Sequence, residues 1–142
     1  GREQWHKAAL ETTNEADIVF LDPDNGLETV KMNQDGSAKE KHVTWQEIKD
    51  YYNRGQSVIL YHHRPQADSK EVCVQKMLEF QSNHLKADGV LALEYFRFTN
   101  RYYFLFAHQA HMPTLESVYH SVAKNWAGLC NPVGICRLPS DR

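Results

Sequence analysis

Two clusters in this 142-residue chain carry side chains able to do chemistry. The first is Asp22-Pro23-Asp24-Asn25-Gly26, directly after the apolar run Ile18-Val19-Phe20-Leu21. A short apolar run bounded by turn residues reads as a strand buried on both faces. Pro23 has no N–H and ends it at Asp22. In an open α/β sheet, ligands gather beyond the carboxyl ends of the strands, so Asp22, Pro23, Asp24 and Asn25 are expected at a site. Two carboxylates this close can hold a divalent cation through oxygen, with Asp22 and Asp24 as the ligands. The same residues also make ordinary turn chemistry.

The second cluster is His62-His63-Arg64, after Ser57-Val58-Ile59-Leu60-Tyr61. Successive strand residues point to opposite faces, so the two histidines should not share one ion. Parallel neighbours lie about 4.8 Å apart, which would bring one histidine near Asp22 or Asp24 as a general base or ligand. His63 is the candidate catalytic residue beside Asp22 and Asp24. His62 and Arg64 are candidate substrate contacts, Arg64 for a phosphate or carboxylate. His108 and His111 are expected at the opposite edge of the sheet and lack further zinc ligands. Arg97, Arg101, Tyr102 and Tyr103 mix cations with rings, as a nucleic-acid platform does, and equally as a protected sheet edge does. Glu94 interrupts an apolar strand and is either at a surface or buried with a partner.

These residues need a scaffold, and the pattern supplies one. A helix is expected over 3–13, a strand over 17–22, an extended segment over 27–32 and a polar loop over 33–41. Thr44-Trp45-Gln46-Glu47 is a capping box opening a helix that Arg54-Gly55 ends. The strand 57–62 follows and stops at Pro65. Asp68 with Glu71 repeats the cap signal before a helix over 71–85. Strands over 90–98 and 102–108 are joined too tightly for a crossover and form an antiparallel hairpin. Pro113 opens a last helix, with Leu115, Val118, Tyr119, Val122 and Trp126 as its core stripe. Trp5, Trp45 and Trp126 are expected to pack helices onto the sheet. The tail 128–142 reads as irregular. The expected fold is one α/β domain over 1–142: a small, mostly parallel sheet of about four strands, its last hairpin antiparallel, flanked by helices.

Composition agrees with a folded chain, at 42% hydrophobic and 11% aromatic residues. The net charge of −2 gives no global attraction to nucleic acid. Three cysteines without a C-x-x-C pair favour free thiols and a cytoplasmic setting, with a Cys130–Cys136 bridge left open. No apolar run approaches the roughly 18 residues of a membrane span. Gly1 rather than Met opens the chain, which admits an N-terminal part upstream. The exposed edge of a four-stranded sheet predicts a homo-oligomer, a homodimer being the simplest.

The element order over 17–108 resembles the C-terminal half of the Rossmann-like S-adenosylmethionine-dependent methyltransferases. In that family a strand ends in Asp-Pro-Pro-Tyr or a related tetrapeptide; helix, strand and helix follow, and a hairpin closes the sheet. Here the tetrapeptide reads Asp22-Pro23-Asp24-Asn25, with Asn25 in place of the aromatic ring, and no Gly-rich cofactor loop is found. The resemblance implies S-adenosylmethionine as cofactor, with Asp22 and the Pro23 carbonyl orienting a substrate nitrogen. Two other readings use the same residues. One is a metal-dependent hydrolase or nuclease with Asp22 and Asp24 on the cation and His62 or His63 beside it. The other is a non-catalytic Rossmann-like module that binds a small molecule, a nucleic acid or its own copy.

Overall fold

Alternating burial along the strands builds the fold. The computed structural model describes residues 1–28, 41–64, 68–97 and 99–137, with the backbone alone at 96–97 and 133–137. The elements in order are α1 (Arg2–Thr12), β1 (Ile18–Leu21), β2 (Gly26–Leu27), β3 (His42–Val43), α2 (Trp45–Tyr52), β4 (Ser57–His63), α3 (Lys70–His84), β5 (Gly89–Arg97), β6 (Thr99–Ala107), α4 (Met112–Asn125) and β7 (Cys130–Arg137). A 3-10 turn at Gln109–His111 leads into α4. The expected loop over 33–40, the stop at Pro65 and the strand end at 98 lie outside the described residues.

The fold is α/β, and its sheet corrects the expectation of a mostly parallel one. Five strands stand in the order β1-β4-β6-β5-β7. Among the described residues the one parallel pairing in this sheet is β1 with β4, Ile18 opposite Ser57 and Leu21 opposite Leu60. The β5–β6 hairpin forms as expected, but β6 inserts between β4 and β5 and pairs antiparallel with both. The helix-connected strands β4 and β5 are therefore not neighbours. The tail is the second correction. It forms edge strand β7, antiparallel to β5, with a register shift between Ala92 and Leu93. Pro132 faces Leu93 there, and an edge strand with a bulge is where a proline can sit in a sheet. An extended β7 also separates Cys130 from Cys136 by about 20 Å along the strand. Disulfide Cα atoms lie within about 7 Å, so these two cannot bridge each other.

One face of the sheet packs Val58, Leu60, Tyr102, Phe104 and Phe106 against Trp45, Ile48, Tyr52, Cys73 and Met77 of α2 and α3. The other packs Leu91, Leu93 and Leu105 against Met112, Leu115 and Tyr119 of α4. Each such fully buried side chain contributes roughly 1.5–3 kcal/mol. Two tryptophans correct the packing expectation: Trp45 is buried, but Trp5 is 63% and Trp126 59% exposed. Val118 of the expected stripe is also exposed, because α4 meets the sheet through a narrower face. The capping box at Thr44 and Glu47 forms as read. On α3 the cap is Ser69, which accepts from the Val72 N–H, rather than Asp68. Asp68 instead holds Lys76 one face along.

Glu94 is fully buried on the α3 side, with Lys70 Nζ 2.9 Å from Oε2. Its strand neighbour Tyr102 is also fully buried, and its hydroxyl finds no hydrogen-bond partner among the described residues. A buried carboxylate stripped of its cation is strongly destabilising, whereas an apolar replacement is often tolerated. Lys70→Met is thus expected to destabilise the fold by about 3 kcal/mol in urea unfolding. Glu94→Leu should cost much less, since Lys70 is 39% exposed at its side chain and can turn to water. Equal losses in the two variants would show that this ion pair does not govern the site.

Candidate functional site

The Asp22 segment is positioned by a buried histidine. Gly26 has φ +99°, a conformation that disfavours any side chain, and an added Cβ would run into the His62 ring and stand 2.9 Å from its Cα. That contact lets the next backbone N–H, on Leu27, donate to His62 Nδ1 at 3.1 Å. His62 Nδ1 must then be unprotonated, with the ring proton on Nε2. Burial first, then the charges of His63 and His42, push the His62 pKa down from 6.5 to about 4, against Asp68. The strap continues through β2, whose residues Gly26 and Leu27 pair with His42 and Val43 of β3. The Asn25 N–H donates to the Lys41 carbonyl at 2.8 Å. Glu28 Oε1 accepts from the Trp45 N–H at 2.8 Å, tying the strap to the first turn of α2.

Beside the strap lies a cleft of about 590 Å³. Its walls are Phe20, Leu21, Asp22, Pro23 and Asp24 at the end of β1, His42 and Val43 of β3, Glu47 and Tyr51 of α2, and Arg2, Trp5 and His6 of α1. Asp22 and Asp24 are exposed to it. Arg2 closes one end, donating to Glu47 Oε1 and Oε2 at 2.7 and 2.9 Å and to the His42 carbonyl. His6 Nε2 lies 2.9 Å from Asp50 Oδ2. Burial alone would raise the Glu47 carboxyl. The Arg2 hydrogen bond, the Thr44 N–H and the charges of Arg2 and His6 outweigh it and hold the group below its ordinary value.

Three of the expected site residues, Asp22, Pro23 and Asp24, line this cleft, while Asn25, His62, His63 and Arg64 do not. His62 is occupied by the Leu27 N–H, so it is a positioning residue rather than a substrate contact. His63 alternates to the opposite face of the sheet, in register with Arg101. Arg64 is half-buried, and its charge acts on Tyr102 and Cys73 under α3. No group of three His, Cys, Asp or Glu side chains able to hold a metal occurs among the described residues. Sequence reasoning missed Arg2, His6, His42 and Tyr51. The Arg2–Glu47 pairing spans 45 positions, and nothing local announces it.

His108 and His111 fall at the amino end of β4, far along the strands from Asp22, as expected. Ser57 Oγ accepts from the His108 N–H at 2.9 Å and is hydrogen-bonded with His111 Nδ1 at 2.7 Å. His108 Nε2 meets the Tyr52 carbonyl, and its ring stacks on Tyr52 at 3.8 Å. Ser57 is fully buried, so this network is a packed end of the sheet. Among the described residues no helix is long and apolar enough to cross a membrane. Compared with protein families, with curated proteins and with solved structures, the chain finds no match in any of the three.

Native stability should fall as pH drops from about 6.5 towards 4, because unfolded chains take up a proton that native His62 refuses. The shift from 6.5 to about 4 amounts to about 3 kcal/mol over that window. His62→Asn, whose Oδ1 can accept from Leu27 without titrating, should flatten the slope in urea unfolding across pH. An unchanged slope would show that another group carries it. Gly26→Ala combines backbone strain with loss of the Leu27 bond and is expected to cost about 2–4 kcal/mol; a loss below about 1 kcal/mol would mean the strap relaxes freely.

Proposed function

We propose that this chain is a methyltransferase-like α/β binding domain that takes an amino-bearing, planar small molecule in the cleft at the carboxyl end of β1. What supports this reading above all is one juxtaposition. The Asp22 and Asp24 carboxylates share the cleft with the rings of Trp5 and Phe20, both of them more than half exposed. A carboxylate accepts from an amino group in a charge-assisted hydrogen bond, and an exposed ring offers it a flat surface. Trp5 offers the stacking surface that Asn25 does not. The β5–β6 hairpin, with β6 inserted antiparallel between β4 and β5, also supports the resemblance, although β7 rather than the hairpin forms the edge of the sheet.

The cofactor side is different. The resemblance implies a Gly-rich loop after a strand to hold S-adenosylmethionine. Among the described residues, the glycine that follows a strand end with a positive φ is Gly26, and the space at its Cβ is filled by His62. Gly55 and Gly128 stand after helices, with nothing within 4 Å of an added Cβ. The residues present do not fit the family's cofactor cradle, and no methyl-transfer step is derived. For the metal-assisted reading, Asp22 and Asp24 share the cleft, but neither histidine stands beside them: His62 is committed to the backbone and His63 faces away.

Calorimetric titration of adenosine, and separately of S-adenosylmethionine, tests this. Saturable adenosine binding is expected, about tenfold weaker in Asp22→Asn, the scale of one charge-assisted hydrogen bond, and weaker also in Trp5→Ala. Absence of heat with both ligands, or identical affinity in Asp22→Asn, would overturn the reading. Binding of S-adenosylmethionine as well would mean that a cofactor site is built without the usual loop.

A further inference from the structure

Helix α4 packs on β5, β6 and β7, and the carboxyl-end half of the same sheet face over β1 and β4 has no helix packed on it among the described residues. Side chains there fall in two adjacent rows set by the β4–β6 register. Tyr61 stands opposite Tyr103, and His63 opposite Arg101. Phe20 of β1 stands one row back, opposite Ile59, and its ring reaches diagonally to Tyr103. Its ring is 55% exposed and lies 6.4 Å from Tyr103 at 27°, while Tyr61 meets Tyr103 edge-on at 5.8 Å. Tyr61, Tyr103, His63 and Arg101 are each partly exposed. Alternation sorts the hairpin motif: Tyr102 goes under α3 and is fully buried, while Tyr103 and Arg101 share the open face.

We propose that this open face binds single-stranded nucleic acid, with bases on Phe20, Tyr61 and Tyr103 and phosphates against Arg101 and His63. The chemistry is complementary in both parts. Exposed rings stack on unpaired bases whatever their sequence, and a neighbouring cation row follows the backbone. A second copy of the chain would set its own Arg101 against this one, whereas a nucleic-acid strand presents phosphates that Arg101 attracts and the His63 ring can meet by hydrogen bonding. A duplex keeps its bases inside and cannot reach the rings. Asp22 borders the platform on the β1 side, so the anionic backbone belongs on the β6 side, over Arg101. The platform shares the Phe20 ring with the cleft, whereas Tyr61, Tyr103, His63 and Arg101 lie outside the cleft lining.

Fluorescence anisotropy of labelled oligo(dT) with the purified chain tests this. Binding is expected at low salt, weakening as salt rises, and clearly preferred over a duplex of the same length. Phe20→Ala and Tyr103→Ala, the second outside the cleft lining, should each weaken it about tenfold, the scale of one lost stacking partner. Arg101→Gln should lower the salt slope by about one counterion. Val72→Ala, an exposed position on α3 across the sheet, should leave it unchanged. No binding at low salt, equal binding of duplex, or unchanged affinity in Phe20→Ala would overturn the proposal. So would a dimer in sedimentation that Phe20→Ala dissolves, which would assign the face to a second copy. Adenosine binding in the cleft can fail without affecting this outcome.

Discussion

The bond from the Leu27 N–H to His62 Nδ1 is the contact on which the arrangement around Asp22 depends. It joins a strap with only two strand residues to the second strand of the sheet, and it works in only one protonation state. A charged imidazole has no lone pair at Nδ1, so protonation would remove the acceptor and leave a buried N–H without a partner, a penalty of about 1–3 kcal/mol. Burial keeps the ring neutral, and the strap helps to bury it. Gly26 is the geometric condition for this: any side chain there would occupy the space of the ring. The turn-forming run that ends in Gly26 therefore acts as a packed clasp. It ends a strand, presents two acids, and returns the chain against the sheet.

Strand alternation decides what each polar pair can do. His62 and His63 are adjacent in sequence, as are Tyr102 and Tyr103, yet a sheet separates the members of each pair. The row His62, Tyr102 and Glu94 runs across three neighbouring strands beneath α3. The row His63 and Arg101 lies on the opposite face. One half of the polar inventory at this end of the sheet is thus spent on internal order, holding the strap through His62 and the start of α3 through Glu94 and Lys70. The other half faces outward. A pairing shift of one residue between β4 and β6 would exchange the two sets and bury Arg101, so the apolar pattern of Val58, Leu60, Phe104 and Phe106 protects the polar arrangement as well as the core.

Several of these features were legible in the sequence. The apolar run before Asp22, the capping box at Thr44, the β5–β6 hairpin and the split between His62 and His63 all follow from local periodicity and turn chemistry. The sheet order was not legible, because a tight hairpin says that two strands pair but not which of them pairs with β4. Strand β7 was hidden by Pro132 and Gly134, which local reasoning reads as breakers and an edge strand tolerates. Trp5 and Trp126 were misplaced for a related reason: a large apolar residue at helical spacing is evidence for a helix, but not for what that helix covers. In the cleft, Asp22 and Asp24 were found from the strand-end rule alone. Their neighbours Arg2, His6 and His42 come from distant parts of the chain, and only the tertiary fold brings them together.

Helix α1 shows how a functional wall can be made from an element with almost no core. None of its residues is buried, so apolar burial contributes little to its docking. Its amino end is held to α2 through Arg2 and Glu47 and through His6 and Asp50. Its carboxyl end is held by Arg54, which donates to the Leu10 carbonyl and Thr13 Oγ1, and by Gln56, which donates to the Thr13 and Ala16 carbonyls. Arg2 meets the buried Glu47 carboxylate through two hydrogen bonds, the geometry in which such a pair contributes most, and this tie sits at the mouth of the cleft. The carboxyl end is fastened by four backbone-directed or hydroxyl-directed hydrogen bonds, so polar contacts hold both ends. Elements that open and close over ligands come from the low-stability end of a fold. Helix α1, with no buried residue and docked chiefly by polar contacts, has the make-up of such an element, and it carries the Trp5 ring on the wall of the cleft.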